Sequence, residues 1–189
     1  MYNPSPYPNK FKDLKAFVLG CDPTAFKNNI QVPLKTVFGI GQDGRYFSGI
    51  RSNLKLLHFE LEDIYVQNLI PEYRTQESTK DPNWIMAAQQ YIPDRVKEFD
   101  KVDPSRTIPV FLTSELLYKA LLNEGLIPAK PKVIYKQESE VIISSENNKL
   151  FRPLIILYRH PAYSIKRQLK YKDKIIKELG LYYLKLKHV

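Results

Sequence analysis

Three polar residues in this chain stand where short apolar runs end. Asp22 follows Lys15-Ala-Phe-Val-Leu-Gly20, Asn68 lies near the end of Asp63-Ile-Tyr-Val-Gln-Asn-Leu-Ile70, and His160 follows Arg152-Pro-Leu-Ile-Ile-Leu-Tyr-Arg159. A carboxylate, a carboxamide and an imidazole are the groups of acid–base chemistry and hydrogen-bond recognition. If the runs are strands of one sheet, the three groups sit at strand ends and can converge on one crevice despite their separation in sequence. Each also has a plainer structural reading. Asp22 precedes a proline and suits a turn, with its carboxylate bonded to nearby amides. Asn68 suits the satisfaction of a loop amide. Cys21 beside His160 would offer a thiol nucleophile, but no third group that would orient the pair is evident. His58 closes a predicted helix and His188 lies in the tail, so a histidine metal site has too few ligands.

The elements that must position these groups emerge from pattern. A further apolar run, Thr107-Ile-Pro-Val-Phe-Leu-Thr113, leads into Ser114 and a helical stretch over 115–123. The four runs are short, β-branched or aromatic, and nearly continuous in apolarity, which predicts strands covered on both faces of a parallel sheet. Helices are predicted over 48–58, 83–101, 115–123 and 163–179, with Ser114 as an N-cap, Pro93 interrupting the second and Gly180 stopping the last. Strand–helix alternation predicts one α/β domain over 1–189: a three-layer α/β/α sandwich around a four-stranded, mostly parallel sheet. Residues 131–148 read as an inserted β-hairpin, and 36–47 as a loop or small hairpin.

Composition narrows the classes. With 43% apolar and 26% charged residues the chain is a globular one, and a single cysteine excludes an internal disulfide or a Cys-rich cluster. No run of about 18 apolar residues is present, so no membrane span is expected, and the absence of a signal-peptide pattern makes a cytoplasmic location the expectation. The net charge is +9, and residues 151–189 carry ten Lys/Arg against Asp173 and Glu178. Eight of the nine surplus positive charges therefore fall in the last fifth of the chain, which favours a polyanionic partner over an evenly solvated surface.

Four segments, in order, resemble the uracil-DNA glycosylase superfamily. Gly20-Cys-Asp-Pro23 is similar to its water-activating motif. Tyr46-Phe-Ser-Gly-Ile-Arg-Ser-Asn-Leu54 resembles its base-stacking segment, and Val66-Gln-Asn68 its base-reading strand end. Arg159-His-Pro-Ala-Tyr-Ser164 resembles its leaving-group loop. Together they span residues 17–167. The resemblance is to the branches without an iron–sulfur cluster. It implies a DNA glycosylase of base excision repair, acting on uracil or a related deaminated base without metal or cofactor, as a monomer on DNA. Asp22 and His160 would be catalytic, and Cys21, Thr24, Phe47 and Asn68 would hold the base. Ala162, Tyr163, Ser164, Lys166 and Arg167 would meet the DNA, with Tyr163 or Ile165 available as a wedge. The sequence departs from the family at Thr24, where tyrosine or glycine is usual, and at Ala162, where serine is usual. It departs again at Ser52-Asn53, where a glycine usually follows the arginine. Two other readings stay open: a non-catalytic nucleic-acid or nucleotide-binding module of the same fold, and an unrelated doubly wound enzyme for a phosphorylated metabolite. The latter lacks a Gly-rich phosphate loop.

Overall fold

The computed structural model describes residues 2–8, 13–28, 30–136 and 141–186. Its centre is a sheet of five strands: β1 (Ala16–Gly20), β4 (Ile64–Asn68), β5 (Val110–Leu112), β6 (Ile142–Ile143) and β7 (Leu154–Ile156). Their order is β4-β1-β5-β7-β6, parallel throughout except for the antiparallel edge strand β6. The four apolar runs thus form the parallel core as their composition dictates, and every residue of these four strands is buried. A separate pair, β2 (Phe26–Lys27) and β3 (Ile30–Gln31), forms a small antiparallel sheet.

The helices are α1 (Ser48–Leu56), α2 (Trp84–Val102), α3 (Glu115–Leu121), α4 (Pro131–Ile134) and α5 (Leu169–Leu186). Register assigns the two faces of the sheet. Phe17 and Tyr65 are partners and point one way, where Phe99 of α2 stacks on Phe17 at 4.2 Å. Val18 and Phe111 are partners and point the other way, where Phe59, just past α1, packs edge-on to Phe111 at 5.3 Å. Side chains alternate across a strand, so these contacts place the α1 side and α2 on opposite faces, an α/β sandwich.

Several boundaries differ from the sequence reading. Residues 131–148 are not a hairpin: 131–134 form a helical turn with Pro131 in its first turn, and 142–143 join the main sheet beside β7. Residues 137–140, within that expected hairpin, and His188 of the tail lie outside the described residues. Residues 36–47 hold two 3-10 turns, Val37–Gly39 and Gly44–Tyr46, rather than strands. The second helix runs through Pro93, because buried Ile92, Arg95 and Phe99 hold its inner face against the sheet. The last helix starts at Leu169 rather than 163 and continues past Gly180. An exposed interior glycine costs only about 1 kcal/mol. Beyond it Tyr182 and Tyr183 donate to the carbonyls of Thr107 and Lys15 at 2.6 and 2.8 Å, which pins the extra turn.

The end of the sheet opposite the strand carboxyl ends is fastened by a buried cation. Arg152, one of the ten cations of the basic tail, has no exposed surface and bonds Asp103 at 2.5 Å and Asp100 at 2.9 Å while lying over the Phe17 ring. Burial pushes the Asp103 carboxyl up, but the Ser105 hydroxyl, the Ile108 amide and Arg152 together hold it below its ordinary range. Asp100 is held low first by Arg106 and then by Arg152. Both carboxylates titrate lower folded than unfolded. Their contribution is therefore complete above the ordinary carboxylate range and is lost as the pH falls through their folded values. Arg152→Met leaves Asp103 buried without its cation and should lower the unfolding free energy by about 3–5 kcal/mol. Arg106→Met, at a partly exposed pair, should cost far less, both read by urea titration at neutral pH.

Candidate functional site

The strand order reverses between β1 and β5. From β1 the chain steps outward to β4 and then crosses back to β5 on the other side. In open parallel sheets, a crevice forms at the carboxyl ends of the strands at such a reversal. The cavity found there has a volume of about 720 Å³ and is walled by residues just past the ends of β1, β5 and β7: Cys21, Asp22 and Thr24; Thr113, Ser114 and Glu115; Tyr158, Arg159 and His160. Asp22 and His160, which are 138 positions apart, therefore share one cavity. A side chamber of about 180 Å³ shares Asp22, Thr24, Phe38, Tyr46 and Arg159 with it.

Asp22 is fixed from two directions. One carboxylate oxygen accepts from the Thr24 amide at 2.9 Å, the turn bond expected of an aspartate before proline. The other accepts from the indole N–H of fully buried Trp84 at 2.8 Å. Each oxygen keeps a lone pair for a further donor, so the turn role leaves capacity for a ligand. The support extends outward: the Arg74 amide donates to the Thr24 hydroxyl at 2.7 Å, and the Arg74 guanidinium pairs with Asp81 at 2.8 Å. Asp81 in turn accepts from the Asn83 amide, directly before Trp84. Trp84 carries a signal that sequence reading passed over: a single buried indole needs an acceptor for its N–H.

His160 sits beyond β7, where the Arg159 amide still bonds the Thr113 carbonyl at 2.9 Å and extends the strand alignment. Its Nδ1 accepts from the Ala162 amide at 3.2 Å, so in the neutral ring the proton is on Nε2. The 3-10 turn Pro161–Tyr163 beyond it is tied to α1 by buried Asn53, whose side-chain oxygen accepts from the Ser164 hydroxyl and the Ile165 amide, each at 3.2 Å. Asn53, one of the departures from the family pattern, thus anchors the His160 loop. Ser114 caps α3, the role expected of it, while Thr113 donates its hydroxyl to the Leu19 carbonyl at 2.8 Å and ties β5 to β1.

Other sequence expectations are corrected. Phe47 has 3% exposure and lies in the hydrophobic core, because it precedes α1 with its ring turned inward against Phe38 at 5.8 Å. The aromatic walls of the cavity on this side are Phe38 and Tyr46. Phe38 adopts a left-handed backbone (φ 56°), unusual outside glycine and asparagine. Asn68 is 2% exposed, does not line the cavity, and its side-chain oxygen has no hydrogen-bond partner. It and Phe38 crowd the same point. A Cβ at Gly20 would lie 2.2 Å from that oxygen and 2.5 Å from the tip of the Phe38 ring, so only glycine fits at this strand end. Tyr163 lines the cavity but stacks on Tyr135 at 5.3 Å and 10°, and Ile165 is wholly buried, so neither is a free wedge. Ser164 is committed to Asn53. Ala162, Lys166 and Arg167 are exposed, and among the described residues neither Lys166, Arg167 nor the cavity residue Arg159 is ion-paired to a carboxylate. No cluster of three or more His, Cys, Asp or Glu able to hold a metal occurs among the described residues. No family model matches the chain, and no curated protein matches it.

Electrostatically the cavity presents one fixed carboxylate, one imidazole N–H donor and two guanidinium groups, Arg159 and Arg45, the latter paired with Asp43. Glu115 is partnered by Lys119 at 2.7 Å. Burial pushes the Cys21 thiol up to about 12, so it is a protonated wall group and not a thiolate nucleophile. Alkylation of Cys21 by iodoacetamide at pH 8.5 should accordingly run at least about 100-fold slower in the folded protein than in urea, and should quicken with rising pH. A folded rate equal to the unfolded one would contradict this protection.

Proposed function

We propose that this cavity hydrolyses the N-glycosidic bond of uracil, or of a related deaminated base, extruded from DNA. The single observation that carries this reading is the shared cavity of Asp22 and His160. Breaking the bond between the sugar carbon and the base nitrogen sends the electron pair to the base and leaves an electron-poor sugar. His160, protonated on Nε2, donates to a carbonyl oxygen of the departing base and stabilises its negative charge. Asp22, fixed by Trp84 and Thr24, aligns a water toward the sugar carbon and accepts its proton as the new C–O bond forms. Its negative charge also opposes the positive charge developing on the sugar. Arg159 meets a phosphate flanking the extruded nucleotide, and Lys166 and Arg167 continue that contact outside.

Recognition rests on the inner wall. A volume of about 720 Å³ is in the usual range of roughly 300–1,000 Å³ for small-ligand sites. The base stacks on Phe38, which takes the part expected of Phe47. The unpartnered oxygen of Asn68 is buried behind that ring, outside the cavity lining. A displacement of Phe38 would be needed for it to accept the ring N–H that uracil and hypoxanthine carry and that cytosine and adenine lack. An unmet acceptor in a buried site is costly, so a ligand supplying that donor gains selectivity. This chemistry calls on no metal or cofactor. A monomer acting on DNA in the cytoplasm in base excision repair is the corresponding biological setting; no helix among the described residues is long and apolar enough to cross a membrane.

Incubation with an oligonucleotide containing one uracil should generate alkali-labile abasic sites. Asp22→Asn and His160→Ala should each lower the single-turnover rate by at least about 10²-fold with DNA binding retained. Absence of base release from uracil, hypoxanthine and xanthine substrates, with DNA still bound, would replace the enzyme by a binding module of the same fold.

A further inference from the structure

Asn68, the residue expected to read the base, is buried behind Phe38 and does not line the cavity. Another polar group belongs to the cavity wall. We propose that the Tyr158 hydroxyl donates to the exocyclic oxygen of the extruded base that His160 does not hold, which in uracil is O4. This deepens the glycosylase reading and rests on it for the ligand, but the residue lies outside the four segments of the resemblance.

Among the described residues, five buried side chains carry a polar atom with no hydrogen-bond partner, and Tyr158 is the one of the five that lines the cavity. It is 3% exposed, so bulk solvent does not serve its hydroxyl. A buried hydroxyl without a partner is costly, and a ligand that brings an acceptor relieves that cost. Burial first, and then the neighbouring Tyr135, Glu115, Tyr118 and Tyr163, push its pKa above the ordinary tyrosine value. The group therefore keeps its proton and acts as a donor to a neutral carbonyl.

The strand decides where the ring goes. Tyr158 stands two residues past β7 and keeps the parity of Leu154, which is aligned through Val110 with Phe17 on the α2 face of the sheet. Its ring leaves the sheet on the side of α3, among Glu115, Tyr118 and Tyr163, and of these Glu115 and Tyr163 line the cavity. The ring is braced before any ligand arrives. Tyr135 packs edge-on to it at 6.0 Å and accepts from the Tyr158 amide at 3.1 Å, so little freedom is lost on binding. The Tyr163 ring lies 6.0 Å from that of Tyr158 and 5.8 Å from that of His160. Two donors thus flank one aromatic on one stretch of wall, and uracil presents two carbonyl oxygens on either side of a single ring nitrogen.

The test is a double-mutant cycle read by binding. One strand carries a non-hydrolysable 2′-fluoro nucleotide of uracil, the other that of pyrimidin-2-one, which keeps O2 and lacks the oxygen at C4. The preference for the uracil strand should be about three- to ten-fold smaller in Tyr158→Phe than in the parent protein, the measure of one net hydrogen bond. Other differences between the two bases are common to both proteins and cancel. The melting temperature without DNA should stay within about 2 °C of the parent's, since the free protein loses no bond. A larger fall would show that the hydroxyl already has a structural partner and would overturn the proposal. An unchanged preference overturns it too, and base release by the parent protein then leaves the glycosylase reading intact. A preference that shrinks as expected while neither protein releases uracil keeps the contact and removes the glycosylase. No binding of either strand by the parent protein removes both.

Discussion

The Trp84 indole and the Thr24 amide each bond one oxygen of Asp22, and these two bonds tie the carboxyl end of β1 to the start of α2. Around them runs a closed circuit, from Thr24 to Arg74, to Asp81, to Asn83 and back to Trp84. A carboxylate held in this way loses little freedom when it takes up a further partner, which is the condition for orienting a water. It also stays at the strand reversal, where the helices diverge and leave room. The cavity, the placement of His160 and the crowding at Gly20 are all referred to that fixed point.

The opposite end of the sheet carries a different solution to burying charge. Fully buried Arg152 bonds buried Asp103 and the partly exposed Asp100, which ties the end of α2 to the start of β7. Arg95, Glu98, Tyr65 and Gln67 form a second linked group along the same helix. Helix α2 is thus clamped at its end by ion pairs, along its length by Phe99 and Ile92, and at its start by the indole. Its rigidity is what makes Trp84 a useful post. Arg159, which lines the cavity, and Lys166 and Arg167, which follow the His160 loop, have no carboxylate partner among the described residues.

The parallel sheet was legible because its strands are covered on both faces and therefore read as unbroken apolar runs, and the strand-end rule then led directly to Asp22 and His160. Local pattern misled where a distant contact decided the outcome. Gly180 does not end α5 because tyrosines beyond it find carbonyls far away in sequence. The stretch 131–136 is β-branched and aromatic, yet Pro131 starts a helical turn there and Tyr135 stacks against Tyr163. Phe47 and Phe38 could not be told apart by type. Which ring faces the cavity depends on the left-handed backbone at Phe38 and on the start of α1, neither of which has a clear residue signature. What Asn53 and Trp84 position was hidden because their partners lie 111 and 62 positions away, although the lone indole did signal the need for an acceptor.

Because the chain has one tryptophan, its indole N–H gives a single NMR resonance, and that proton is bonded to Asp22. Titration with an oligonucleotide carrying a non-hydrolysable 2′-fluoro-deoxyuridine should shift this resonance together with the His160 ring signals, in saturable fashion. The same strand with cytosine in that place should shift neither beyond the effect of backbone binding. Indole and imidazole signals that stay still while amides elsewhere respond would mean that the cavity does not receive the base, and would contradict the assignment of Asp22 and His160 to base release.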